Sequence, residues 1–214
     1  MKIELIDLKK RYAEEKEDLL EIFDKVLKNG SLVLTDEVAN FEKRICEYTS
    51  SKFCLGLNSG TDALMMALWS LGIKHGDEVI TSPISFIASA GAIVHIGAKP
   101  IFVDVKDDLN INENLIESAI TERTKAIMPV HWSGKVCNMD KISEISKKYN
   151  LKIIEDSAQG MGSYYKGKHA GTFGEISAFS AHPLKNLNAV GDSGFVITND
   201  EQLYNRIKLY RSHG

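Results

Sequence analysis

Seven short apolar runs, "FCLGL" (53–57), "EVITS" (78–82), "PIFVDV" (100–105), "KAIMPV" (125–130), "LKIIED" (151–156), "ISAFS" (176–180) and "GFVITN" (194–199), recur along the chain. Between most of them lie stretches with helical spacing, such as "TDALMMALWSLG", "SFIASAGAIVHIG" and "MDKISEISKKYN". This alternation constrains the fold more than any other feature, because parallel strands need a long crossover and a helix supplies it. Strands covered by helices on both faces read as nearly continuous apolar runs, as these do. The alternation fails once. No convincing long helix separates "ISAFS" from "GFVITN", so the last strand is expected to return antiparallel beside an otherwise parallel sheet. The fold class is α/β.

Before the first strand, "EEKEDLLEIFDKVLKNG" places Leu19, Ile22, Phe23, Val26 and Leu27 at helical spacing and ends at Asn29-Gly30, a C-terminal cap signal. A second helix is expected in "DEVANFEKRICEYTS". With 43% hydrophobic and 26% charged residues and a formal net charge of -3, the chain is suited to a packed core and offers no basic stripe for nucleic acid. Its three cysteines, Cys46, Cys54 and Cys137, form no C-x-x-C motif, and an odd number does not suit a secreted disulfide framework. The charged N-terminus lacks the apolar core of a signal peptide, and no run approaches a membrane span. The expectation is a cytoplasmic protein.

Ligands of open α/β sheets bind beyond the carboxyl ends of the strands, so residues just after each apolar run are the candidates for chemistry. Ser59, Gly60, Thr61 and Asp62 follow the first run and open a helix, where free N–H groups suit a phosphate as well as an ordinary N-cap. Glu155 and Asp156 end the fifth run; a carboxylate there suits a metal, a base, a partner for a cationic ring nitrogen, or a structural cap. Phe86 and His131 reach the same edge. Lys185 lies on the connection between the last two strands, where functional groups tend to be placed. The segment "GSYYKGKH" has the G-x-x-x-x-G-K frame of a phosphate loop, but His169 stands where Ser or Thr must hold magnesium, and no helix follows.

Taken together, "NSGTDAL", "SPISFIASAGAIVHIGAKPIFVDV", "HWSG", "EDSAQGMGSYYKGKHAGTFG" and "SAFSAHPLKNLNAVGDSGFVITND" resemble the DegT/DnrJ-type sugar aminotransferases, enzymes of pyridoxal 5'-phosphate (PLP) fold type I. The resemblance implies a three-layer large domain with a mainly parallel seven-stranded sheet whose last strand is antiparallel. It implies that Lys185 forms the Schiff base with PLP and shuttles a proton, and that Asp156 pairs with the ring nitrogen. It further implies that Gln159 meets the ring 3-oxygen, that Phe86 stacks on the ring, and that Gly60, Thr61, Asp62 and Ser180 bind the phosphate. No metal is implied.

The activity implied is transfer of an amino group from glutamate to a keto group of a nucleotide-linked sugar, in polysaccharide or glycan precursor synthesis, by a homodimer. Residues 1–30 are expected to be an N-terminal helical segment and residues 31–214 the PLP-binding large domain. The smaller C-terminal domain of such enzymes is expected to lie beyond "LYRSHG", leaving these residues alone with weak activity. Two rivals remain: a PLP-dependent sugar dehydratase, in which resembling proteins carry histidine in place of Lys185, and a noncatalytic module of the same fold.

Overall fold

The computed structural model describes Glu4 and residues 6–30 and 32–213. Residues 1–3 and 5 of the expected N-terminal segment, and Ser31 and Gly214 of the expected large domain, lie outside the described residues. The chain divides into two compact units, Met1–Phe41 and Glu42–Gly214. In the first, helix α1 (Leu8–Asn29) is capped by Asp7, whose side chain accepts from the Lys10 N–H at 2.9 Å. It stops where the sequence predicts: Gly30 adopts φ 68°, a left-handed conformation that glycine takes without steric cost, and its N–H bonds to the Leu27 carbonyl. Helix α2 (Asp36–Thr49) follows and runs across the division between the units.

The second unit alternates as expected: β1 (Phe53–Leu57), α3 (Gly60–Ser70), β2 (Glu78–Thr81), α4 (Ile87–His95), β3 (Lys99–Phe102), β4 (Thr124–Met128), α5 (Met139–Tyr149) and β5 (Lys152–Asp156). A two-residue pair of strands, β6 (Tyr164–Tyr165) and β7 (Lys168–His169), precedes β8 (Ile176–Ser180), β9 (Gly194–Thr198) and α6 (Glu201–Tyr210). The seven longer strands form one sheet in the order β1-β9-β8-β5-β4-β2-β3. Every pairing within it is parallel except those of β9, which is antiparallel to both neighbours. The last strand is therefore interior to the sheet and not a flank, and all five of its residues are buried.

Several other boundaries differ from the sequence reading, two of them for a visible local reason. The third strand ends at Phe102 and not Val105, because the chain leaves the sheet and Val105 instead bridges Ile111. Helix α4 starts at Ile87 and not Ser85, because Ser82 first closes a turn in which its hydroxyl accepts from the Ile84 N–H at 3.1 Å.

The alternating faces of the strands explain the three layers. Val79, Ala126, Met128 and Ile154 pack on one face with Ala63, Leu64, Ala67 and Leu68 of α3, Ala92 and Ile93 of α4, and Leu203 and Ile207 of α6. Their neighbours in sequence, Ile80, Ile127 and Ile153, pack on the other face with Ile142 and Ile145 of α5. Each fully buried Val, Leu, Ile or Met side chain among them is worth about 1.5–3 kcal/mol relative to exposure. Among the described residues, no helix is long and apolar enough to cross a membrane.

Candidate active site

The carboxyl ends of β1, β4, β5 and β8 surround a cavity of about 470 Å³. Its wall includes Gly60, Thr61, Phe86, Asp156, Gln159, Ser180 and Lys185, so residues more than a hundred positions apart converge on one space. Asp62 is the expected residue that is not brought to the wall. Its N–H donates to the Ser59 hydroxyl oxygen at 3.0 Å, which makes Ser59 the N-cap of α3.

The start of α3 is pressed onto the sheet by glycines. A Cβ on Gly60 would lie 2.6 Å from the Ser180 Cβ, and one on Gly194 would lie 2.3 Å from the carbonyl carbon and oxygen of Ser59. Two missing side chains thus let the helix N-terminus abut the end of β8 and the start of β9. Among the described residues, the N–H groups of Gly60 and Thr61 take no hydrogen-bond partner. Unpaired amides at the positive end of a helix dipole, beside the Ser180 hydroxyl, form an anion cradle.

The adjacent acids Glu155 and Asp156 separate. The Glu155 carboxylate turns onto the 171–174 segment and accepts from the N–H groups of Gly171 (2.8 Å), Phe173 (2.7 Å) and Gly174 (2.7 Å). His131, fully buried, completes the set at 2.9 Å. The His131 Nδ1 accepts from the Cys137 N–H at 3.3 Å, so Nε2 carries the proton that it donates to Glu155. Burial by itself would raise the Glu155 pKa, but His131 and the glycine amides outweigh it and hold the carboxyl below its ordinary range. Glu155 is the structural acid.

Asp156 faces the cavity. Its Oδ2 accepts from the Ser89 hydroxyl at 2.7 Å and its Oδ1 from the Ala158 N–H at 3.2 Å. Burial pushes its carboxyl above the usual range, opposed by those two donors and by the charge of Lys185. A buried carboxylate short of positive charge is suited to a cationic partner entering the cavity.

Gln159 is oriented by its own backbone surroundings. Its Oε1 accepts from the Ser133 N–H at 2.7 Å, so the side-chain NH₂ is left as a donor. Ser133 has φ 52°, a left-handed conformation uncommon for a residue with a side chain, and this aims its amide. Lys185 sits in a loop folded on itself: its N–H bonds to the His182 carbonyl at 2.8 Å, and Ala189 N–H to the Ala181 carbonyl at 2.7 Å closes the loop. Phe86, 69% exposed, stands at the rim.

Ser89, Trp132, Asp192 and Gly194 were not singled out from sequence. Ser89 left a trace there, because Ser85 and Ser89 are two hydroxyls one helical turn apart in an otherwise apolar stretch, and their oxygens lie 2.5 Å apart. An anion cradle, a buried carboxylate, an amide donor, an amine and an aromatic face together fit a phosphorylated cationic aromatic ring with an electrophilic carbon. Among the described residues no group of His, Cys, Asp or Glu is placed to hold a metal ion.

The sequence matches the DegT/DnrJ/EryC1/StrS aminotransferase family over residues 13–214. It is 38% identical to the UDP-2-acetamido-2-deoxy-3-oxo-D-glucuronate aminotransferase of Pseudomonas aeruginosa, over 99% of this chain and 59% of that protein. It is 40% identical to a pleiotropic regulatory protein of Geobacillus stearothermophilus, over 100% of this chain and 58% of that one. The crystal structure of Streptomyces venezuelae DesV in complex with a ketimine intermediate superimposes with a TM-score of 0.95 at 38% identity, covering 99% of this chain and 57% of DesV. The chain thus spans a little over half the length of the proteins it matches.

Proposed function

The chain belongs to the DegT/DnrJ/EryC1/StrS aminotransferase family, whose members depend on pyridoxal 5'-phosphate, and from that premise we propose that its cavity binds PLP for transfer of an amino group to a nucleotide-linked ketosugar. The observation that carries the reading is the convergence of Lys185, Asp156 and the unpaired amides of Gly60 and Thr61 on one cavity. When bound, PLP supplies an electron sink for the pair released at the substrate carbon.

In this reading the residues divide the work by chemistry. The Gly60 and Thr61 amides and the Ser180 hydroxyl hold the phosphate. Asp156 keeps a proton on the ring nitrogen, and Ser89 keeps the Asp156 carboxylate aimed. The Gln159 NH₂ donates to the ring 3-oxygen. Phe86 covers the ring face; stacking contributes only about 0.5–1.5 kcal/mol beyond area burial, so it orients and does not anchor. The Lys185 Nζ would hold the cofactor covalently and, when free, would move a proton at the substrate carbon.

The amino donor is glutamate and the pathway is polysaccharide or glycan precursor synthesis. The P. aeruginosa relative, an aminotransferase of a UDP-linked sugar, supports the nucleotide-sugar acceptor. Residues 1–30 act as a helical segment and 31–214 as the cofactor-binding domain. The exposed Ile22, Phe23 and Leu27 of α1 suit homodimer formation. Free thiols at Cys46, Cys54 and Cys137 suit the cytoplasm.

Borohydride reduction of the PLP-loaded chain followed by peptide mapping tests the site: a pyridoxyl group on Lys185 is expected. Labelling of another lysine, with retention of the visible cofactor band in Lys185→Ala, overturns it. The name of the Geobacillus relative favours a second reading, a regulatory protein without turnover. Loss of the visible band on adding glutamate distinguishes amino transfer from that reading.

A further inference from the structure

Between Asp156 and β6 the chain makes a tight turn that also carries Gln159. Gly160 N–H bonds to the Ser157 carbonyl at 2.8 Å and Ser163 N–H to the Gly160 carbonyl at 3.0 Å. Two contacts tie this turn to the rest of the molecule. From one side, the Asn186 side-chain amide donates to the Met161 carbonyl, so the residue after Lys185 is attached to the turn after Asp156. From the other side, the Gly162 N–H donates to His169 Nε2 at 3.0 Å.

The geometry specifies the state of His169. Its Nδ1 lies 2.5 Å from the Ala170 carbonyl, which only accepts, so Nδ1 carries a proton. Its Nε2 accepts from Gly162, so Nε2 carries none. The ring is therefore the neutral Nδ1–H tautomer, and a second proton would set two N–H groups against each other. His169 is 3% exposed and wedged edge-on against Tyr48 of α2 at 5.7 Å and Tyr164 of β6 at 5.2 Å between centroids, with Phe179 of β8 at 6.2 Å. The charged or titratable groups around it are Glu155, His131, Tyr48 and Tyr164; of these, Glu155 is saturated by its own four donors.

We propose that His169 and Asn186 are positioning residues for Lys185: neutral His169 fixes the Gly162 turn, and Asn186, held by the Met161 carbonyl of that turn, fixes the Lys185 loop relative to Asp156 and Gln159. The inference rests on the role proposed for Lys185, and it makes the register of amine, ring-nitrogen acid and 3-oxygen donor sensitive to protonation of a residue outside the cavity. Burial holds the His169 pKa below its ordinary value, with the Ala170 carbonyl and Glu155 acting against that, so the neutral form persists at physiological pH.

The test is hydrogen–deuterium exchange of the cofactor-free chain over a range of pH, corrected for the intrinsic pH dependence of exchange, in the native protein, His169→Gln and Asn186→Ala. Glutamine places an acceptor near the Nε2 position that does not titrate. In the native protein, protection of residues 160–164 and 184–188 is expected to fall together as pH drops. In H169Q both are expected to become independent of pH. In N186A, 184–188 is expected to lose protection about 2–10-fold at every pH, as for one hydrogen bond, while 160–164 keeps its pH response. An unchanged pH response in H169Q, or native protection of 184–188 in N186A, overturns the proposal. Failure of borohydride to label Lys185 would instead remove the cofactor reading and leave the coupled exchange standing.

Discussion

Glu155 and Asp156 are consecutive on β5, yet one carboxylate is saturated by four donors on the 171–174 side and the other faces the cavity with Ser89. A strand points successive side chains to opposite faces, so one step along the chain separates a structural acid from a candidate functional one. Their amide substitutions should therefore fail in different ways. Glu155→Gln replaces an acceptor with a donor against backbone N–H groups and should cost about 1–3 kcal/mol, the penalty for leaving a buried donor unpaired. Urea unfolding measures it. Asp156→Asn should leave stability near native while greatly slowing amino transfer, and near-native turnover would mean that another group protonates the ring nitrogen.

Gly60→Ala should destabilise the protein by about 1–3 kcal/mol, because the new methyl group meets Ser180 at a distance no relaxed contact allows. It should also weaken PLP binding by displacing the α3 N-terminus. Adding Ser180→Gly removes the nearest opposing atom and should recover part of the stability without recovering the hydroxyl. Thermal melts and PLP titrations of the two single variants and the double variant check this; strict additivity would contradict it.

The contribution of His169 to the pH dependence of stability has a definite sign. Because the folded state depresses the His169 pKa, its contribution is complete above the ordinary histidine value of 6.5 and is lost as pH falls below that toward the depressed value. Glu155, also depressed, loses its contribution at lower pH, below the ordinary carboxylate range. Asp156, raised by burial, acts oppositely and becomes less destabilising as it protonates. Between about pH 7.5 and 5.5 the native protein should lose unfolding free energy relative to His169→Gln as pH falls, as read by denaturant midpoints.

Gln159→Glu retains an acceptor for the Ser133 N–H but replaces the donor NH₂ by a second carboxylate oxygen facing the cavity. It should weaken PLP binding about tenfold or more, the effect of 1.4 kcal/mol, with little change in folding. Equal affinities in a PLP titration would place the 3-oxygen elsewhere.

Much of this was legible from sequence because it rests on local pattern. The seven strands, the cap at Gly30 and the return of the last strand follow from periodicity and turn chemistry. The position of β9 between β1 and β8 does not, because its partners are chosen by burial across the whole sheet. The G-x-x-x-x-G-K frame at 162–168 shows how one stretch supports two readings. Lys166 (φ 50°) and Gly167 (φ 78°) are both left-handed, as a two-residue hairpin turn between β6 and β7 requires, and no phosphate loop is formed. Ser89 left only its spacing from Ser85, and Gly194 left no signal, because their importance lies in what they approach: an acid on β5 and the start of α3.

The interior place of β9 has a consequence for how the molecule is made. Phe53 to Leu57 of β1 emerge from the ribosome early and pair with Thr198 to Gly194, which emerge late. Until then both β1 and β8 present open edges, rows of unpaired backbone groups that can recruit a strand from another nascent chain. Each molecule must keep a gap one strand wide between them and fill it with a strand of its own made later, so slow translation just before residue 194 would be a period of high risk of aggregation.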